Sequence, residues 1–231
     1  EKTEAVDTGI EEALLDAMVI EDFEPEEKVM RVVPLRGMMI YPNTESHLDL
    51  GRKFSVNAVQ ECMRANEPLL LAFQKNADAG LPDADNLYEI GVVAKVRRTI
   101  NLPTEGMRVL VTGLYPVRVL EYHIDENEIT AHFEELPEPE YDRNDLEVKA
   151  RAVRHQFEQY AKRSIRIGSD QLTTILDMDP LPVQLNMMCG HLAVSLEERY
   201  GLLVEQDVEA RTDKMLELMQ DQPVQANVDM E

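Results

Sequence analysis

Leu136-Pro137-Glu138-Pro139-Glu140 separates two stretches of this chain that read very differently. Neither proline can donate to a sheet ladder, and each disfavours helical geometry in the residue before it. The segment is a connector, assigned to 137–141. The chain is β-rich before it and helical after it.

Working back from the connector, short apolar runs alternate with Pro, Gly and Asn. They are Val32-Val33-Pro34-Leu35, Met38-Met39-Ile40-Tyr41, Glu67 to Phe73, Gly91 to Val96, Met107 to Val111, Val117 to Leu120, and Ile129 to Phe133. Short strands at this spacing predict a compact barrel or sandwich over 30–136. One helix interrupts them, from Ser55 to Ala65, because Val56, Val59, Cys62 and Met63 recur at helical spacing. The polar residues 75–86, with Gly80 and Pro82, form a surface loop.

Working forward, Asp142 is placed to cap a helix whose apolar stripe is Leu146, Ala150, Val153, Phe157 and Ala161. Gly168 is expected to stop it. Ser169 then caps a short helix with Leu172, Ile175 and Leu176 inward. Pro180 ends that helix, and Pro182 opens another whose buried side is Leu185, Met188 and Leu192. Ser195-Leu196-Glu197-Glu198 is a capping-box pattern and starts a fresh helix. Asp207 caps the last one, with Val208, Met215, Leu218 and Met219 on one face. Five short helices with brief connections predict an antiparallel bundle over 142–222.

Charge bounds the function. The chain carries 45 acidic and 23 basic side chains, a net charge of −22. Residues 1–30 alone hold 11 acidic and 2 basic ones. Residues 1–29 read as an acidic flexible leader with one amphipathic patch at Ile10 to Ile20. A surface this acidic disfavours nucleic acid, whose phosphates need clustered Lys and Arg, and anionic membranes. Two distant cysteines, Cys62 and Cys189, exclude a disulfide framework and favour a reduced, cytoplasmic setting. No apolar run approaches the ~20 residues that span a bilayer.

The search for catalytic motifs is negative. Gly is never followed by Lys, so no phosphate-binding G-x-x-x-x-G-K-[ST] loop exists. G-x-G-x-x-G, G-x-S-x-G, H-E-x-x-H and paired C-x-x-C are also missing. His123 and His132 flank a hairpin near Asp125 and Glu128, and read as a solvated strand pair rather than a metal site. Cys62 reads as a packing residue. No catalytic, cofactor or metal residue is assigned. Seven basic residues between Arg143 and Arg166 read as a solvated helix face, or as a contact for an acidic partner such as the leader. Of the twelve methionines, Met38 and Met39 lie between Gly37 and the turn at Pro42-Asn43. Methionine adapts to varied apolar partners. Met38 and Met39 therefore read either as core packing or, together with Tyr41, as candidate contact residues for an apolar partner.

The ordered pieces together resemble one family. Val33-Pro34-Leu35-Arg36 followed by Ile40-Tyr41-Pro42 resembles the opening of the Lon protease N-terminal domain. Gly51-Arg52, Tyr88 to Ala94, Asn101-Leu102-Pro103, and Val109 to Leu114 follow at similar spacing. Ser195 to Tyr200 and Leu202 to Glu205 resemble its later helix. The resemblance covers roughly residues 31–220. It implies an α+β fold, a PUA-like pseudo-barrel followed by the helical bundle, with 223–231 a tail leading toward an ATPase domain. It implies a non-catalytic role in capturing unfolded or tagged proteins and supporting a homohexamer. ATP and Mg are implied for the catalytic domains of a full-length parent, and no cofactor for this chain. A free-standing Lon-domain adaptor without protease activity is the alternative. The sequence departs from the family at Asn43-Thr44-Glu45, where a more apolar turn is expected, and at Gln222-Pro223, where a helix usually continues.

Overall fold

A computed structural model describes residues 28–78, 80–103, 106–164 and 166–220. The leader, apart from its last two residues, and the tail over 223–231 lie outside that range. The β-rich half contains β1 (Lys28–Leu35), β2 (Glu45–Leu50), α1 (Lys53–Ala65), β3 (Leu69–Phe73), β4 (Ile90–Asn101), β5 (Met107–Ile124) and β6 (Ile129–Glu135). The helical half contains α2 (Arg143–Arg163), α3 (Ser169–Leu176), α4 (Leu181–Cys189), α5 (Leu196–Val204) and α6 (Val208–Gln220).

The strands run in the order β2-β5-β4-β3-β1-β6, and β6 pairs back onto β5. Five strands therefore close into a ring, and β2 lies outside it, paired with β5. The long strand β5 makes this possible. Its first half pairs with β2 from Met107 to Thr112, and its second half with β6 from Val117 to Ile124. Beta4 runs along it between, from Ile90 to Asn101. A single parallel pair, β1 with β3, matches Val32 to Leu70 and Leu35 to Phe73, with β2 and α1 in the crossover.

Beta3 is apolar throughout because both of its faces are covered. Leu69, Leu71 and Phe73 join one core cluster, and Leu70 and Ala72 join the other. Alpha1 packs over β1, β3 and β4, burying Phe54, Ser55, Ala58, Val59 and Cys62. Met63, expected on that inner stripe, falls at its edge and stays exposed.

The helical half forms largely as its sequence dictates. Asp142 accepts from the backbone N–H of Asn144 at 2.7 Å and caps α2. The whole stripe Leu146, Ala150, Val153, Phe157 and Ala161 is buried. At α5 both arms of the capping box are made between Ser195 and Glu198. Asp207 caps α6, accepting from Ala210 N–H at 2.7 Å.

Three local expectations are corrected. Gly168 does not stop α2, which ends at Arg163 with Ser164 as its C-cap; it is the N-cap of α3, with Ser169 the first helical residue. Met38-Met39-Ile40-Tyr41 is not a strand but a buried connection between β1 and β2. The strand there is the polar Glu45–Leu50 instead, which alternates exposed residues with buried Leu48 and Leu50.

The core does not stop at the connector. One continuous cluster runs from Val33, Tyr41 and Val92 in the barrel to Phe157, Met188, Leu202 and Met215 in the helices. Leu136 and Tyr141, at the two ends of the connector, pack against it.

Candidate functional site

The turn after Tyr41 joins the two halves. Asn43 takes a left-handed backbone, φ 64°, which Asn tolerates better than most residues. Its N–H donates to Gly113 O at 2.9 Å, and Gly113 N–H donates to Thr44 O at 2.9 Å. The turn therefore lies directly on β5. A Cβ at Gly113 would overlap the Tyr41 carbonyl, so only glycine fits.

Polar bonds continue from this turn into the helices. Asn186 Nδ2 donates to Asn43 Oδ1 at 3.2 Å, and Arg211 donates to Asn186 Oδ1 at 2.7 Å. The Arg211 guanidinium lies 6.0 Å from the Tyr41 ring centre. The Tyr41 hydroxyl donates to Arg199 O at 2.7 Å. Burial pushes the Tyr41 phenol far above its ordinary range, and Cys189 adds to this while Arg211 and Arg199 oppose it. Nearby, Tyr88 and Tyr200 stack with ring centres 3.9 Å apart, and the Tyr200 hydroxyl accepts from Ile90 N–H at 3.2 Å.

This seam borders a cleft of about 340 Å³ between the halves. Its walls include Pro42 and Asn43 from the turn, Leu114, Tyr115 and Pro116 from β5, Pro139 and Tyr141 from the connector, and Pro182 and Val183 from α4. Tyr115 is 37% exposed, an aromatic ring held on a rigid strand beside several prolines. Prolines lack N–H donors and so present apolar surface with few polar groups to desolvate.

A second cleft, about 380 Å³, opens where β1 and β2 meet the start of α1. Leu35, Met38, Leu48 and Leu50 line it together with Arg36, Asp49, Gly51, Arg52 and Ser55. Arg52 donates to Pro34 O, to Gln74 Oε1 at 2.6 Å and to Gly80 O at 3.1 Å. Burial, and then the charge of Arg36, draw its pKa down to about 10. Asp49 is held by a two-pronged pair with Arg108 at 2.6 and 2.7 Å, which keeps its carboxyl below the usual range.

The three sequence candidates separate here. Tyr41 is 0% and Met39 5% exposed, so neither offers surface to a partner; both are anchored in the core because the turn must seat on Gly113. Met38 is half-buried and lines the second cleft. Tyr115 carries no local mark of exposure in the sequence, where it falls between the runs 107–111 and 117–120. His123 and His132 meet edge to face at 5.2 Å. Among the described residues no group of three or more His, Cys, Asp or Glu side chains is placed to hold a metal. The basic residues of α2 are mostly engaged within the helical half: Arg143 with Asp179, Lys149 with Glu209 and Asp213, Arg151 with Glu147, and Lys162 with Glu158.

A closed ring of strands sharing one core with a five-helix segment, with two clefts at its surface, defines the class as an α+β domain. The chain belongs to the family of the ATP-dependent protease La (LON) substrate-binding domain, whose model matches residues 29–221. It is 31% identical over 188 residues to a Lon protease of Syntrophomonas wolfei, covering 81% of this chain and 23% of that protein. It is 32% identical over 200 residues to one of Heliobacterium modesticaldum, covering 84% and 25%. The chain thus spans about a quarter of the length of these relatives. Its fold is similar to the N-terminal domain of Mycobacterium avium complex Lon protease, at a TM-score of 0.64 and 15% identity, over 85% of this chain and 100% of that one. A Lon N-terminal domain protein from Xanthomonas campestris gives 0.59 at 14% identity, over 85% and 99%. Among the described residues no helix is long and apolar enough to cross a membrane.

Proposed function

We propose that this chain captures unfolded or tagged polypeptides for a Lon-type ATP-dependent protease, and that the cleft at the barrel–helix junction is a main contact. The observation that carries the reading is the exposed Tyr115 beside the proline-walled cleft, in a chain that belongs to a substrate-binding family. Apolar, weakly shaped surface of this kind suits segments exposed by unfolding, whose sequences vary. Met38 is kept as a second contact. Catalysis, with ATP and Mg, belongs in this reading to the parent protein's other domains, and the domain supports a homohexamer in the cytoplasm. Nucleic acid is disfavoured as a partner by the net charge of −22.

The test is capture of denatured casein by the immobilised chain. Tyr115→Asp should lower capture roughly 5- to 10-fold, the loss typical of a central aromatic contact. Its urea midpoint should stay near wild type, because the ring is partly solvated. Equal capture by the folded variant would remove the cleft from the proposal.

A further inference from the structure

The second cleft brings together groups suited to binding an anion. Alpha1 begins there, and its thirteen residues have neither a side-chain cap nor an acidic residue in the first turn. The partial positive charge of a helix start is left uncompensated. Two guanidinium groups, Arg36 and Arg52, lie beside it, and among the described residues neither is in an ion pair with a carboxylate. Asp49 lines the same cleft, but Arg108 already neutralises it. An independent observation points to a ligand: Ser55 lines the cleft, is 1% exposed, and its Oγ has no hydrogen-bond partner. A buried hydroxyl left unpaired is costly, and native structures seldom keep one without reason. Like charges set side by side are costly too, and an anion between them relieves both.

The other wall says what kind of anion. Met38, Leu35, Leu48 and Leu50 line the same cleft and give it an apolar surface. A bare inorganic anion would leave that surface unused. We propose that this cleft is a carboxylate-binding site that takes the C-terminus of a polypeptide whose last residue is apolar. The terminal carboxylate meets the α1 start, the Ser55 hydroxyl and the Arg36 and Arg52 charges, and the last side chain lies against Met38. The inference rests on the proposed capture of polypeptides and adds an end-specific mode to it.

The experiment compares two fluorescent peptides of one sequence ending in Leu, one with a free carboxylate and one as the C-terminal amide. Binding to the 231-residue chain is followed by anisotropy. The free acid should bind about tenfold tighter or more, as expected for hydrogen bonds to a charged group. Inorganic phosphate should compete with it, and added salt should narrow the difference. Ser55→Ala and Arg36→Gln, which leave the Arg52 bonds to Pro34, Gln74 and Gly80 in place, should each reduce the acid-to-amide ratio several-fold. Equal affinities for acid and amide overturn the proposal, as does a preference unaffected by both substitutions. Phosphate binding without preference for the free acid overturns it as well, by leaving a simple anion site. Casein capture through Tyr115 is read separately, so loss of the end preference leaves the general capture reading standing.

Discussion

At the scale of single residues, the molecule depends on a few positions where only one side chain fits. Gly113 is one, since the Tyr41 carbonyl occupies the space of a Cβ. Gly113→Ala should destabilise the chain by about 1–3 kcal/mol, seen as a lower urea midpoint at unchanged slope. Gly91 is similar but milder, with Leu71 O 2.8 Å from the place of a Cβ. Tyr41 is another such position. Tyr41→Phe removes the hydrogen bond to the Arg199 carbonyl, which keeps its place in the α5 ladder, and should cost about 0.5–1.5 kcal/mol. The same substitution has a pH signature. Burial raises the native pKa of Tyr41, Tyr122 and Tyr200. Above about pH 10 the unfolded chain loses these protons first, so it binds fewer protons than the native state and stability falls as pH rises. Below that pH these groups leave stability unchanged. Urea unfolding between pH 8 and 11 should show the decline, and Tyr41→Phe should make it shallower.

At the scale of elements, caps and stripes decide helix by helix. Ser195→Ala removes one arm of the α5 capping box and should cost about 1 kcal/mol, measured by thermal or urea unfolding. Tyr200 lies on the same helix and stacks on Tyr88, so fraying of α5 should also change near-ultraviolet tyrosine dichroism. These helical features were legible because each is local. Asp142 with α2, and Ser195 with α5, need only a few residues of context. The strands were less so. Beta2 carries little strand signal in sequence because Glu45, His47 and Asp49 dominate its composition, although they form the solvent side of an alternating strand. The runs 107–111 and 117–120 were read apart because Gly113 and Pro116 lie between them, yet both residues sit inside β5. Pairing with β4 carries the strand through: Gly91 opposes Val117, and Val92 opposes Pro116. Gly168 is ambiguous for a different reason, since a glycine between two helices marks a boundary without saying which helix it serves.

At the scale of the whole chain, the shared core sets the unit of folding. Phe157 and Met215 belong to the same cluster as Val33 and Leu71, so the halves should not melt separately. Far- and near-ultraviolet dichroism should report one coincident unfolding transition. A chain cut within 137–141 would expose Tyr41, Ile90 and their neighbours, and its β-rich piece should aggregate on dilution from denaturant. Both cysteines lie in this core, at 1% and 0% exposure, and burial raises the pKa of each thiol. Native protein should accordingly react slowly with a thiol reagent and rapidly once unfolded.

The sequence by itself determined the α+β class, the place where strands give way to helices, and three helix N-caps, Asp142, Ser195 and Asp207, because periodicity and capping act over a few residues. It also supported membership of the Lon family, through the order and spacing of many weak signals. Only the tertiary structure decided that Met39 and Tyr41 are core, that Tyr115 is surface, and that Arg36, Ser55 and Met38 share one cleft. Those facts depend on which strand lies against which helix. A side chain is covered or bare according to partners that can lie 158 residues away in sequence, as Tyr41 and Arg199 show.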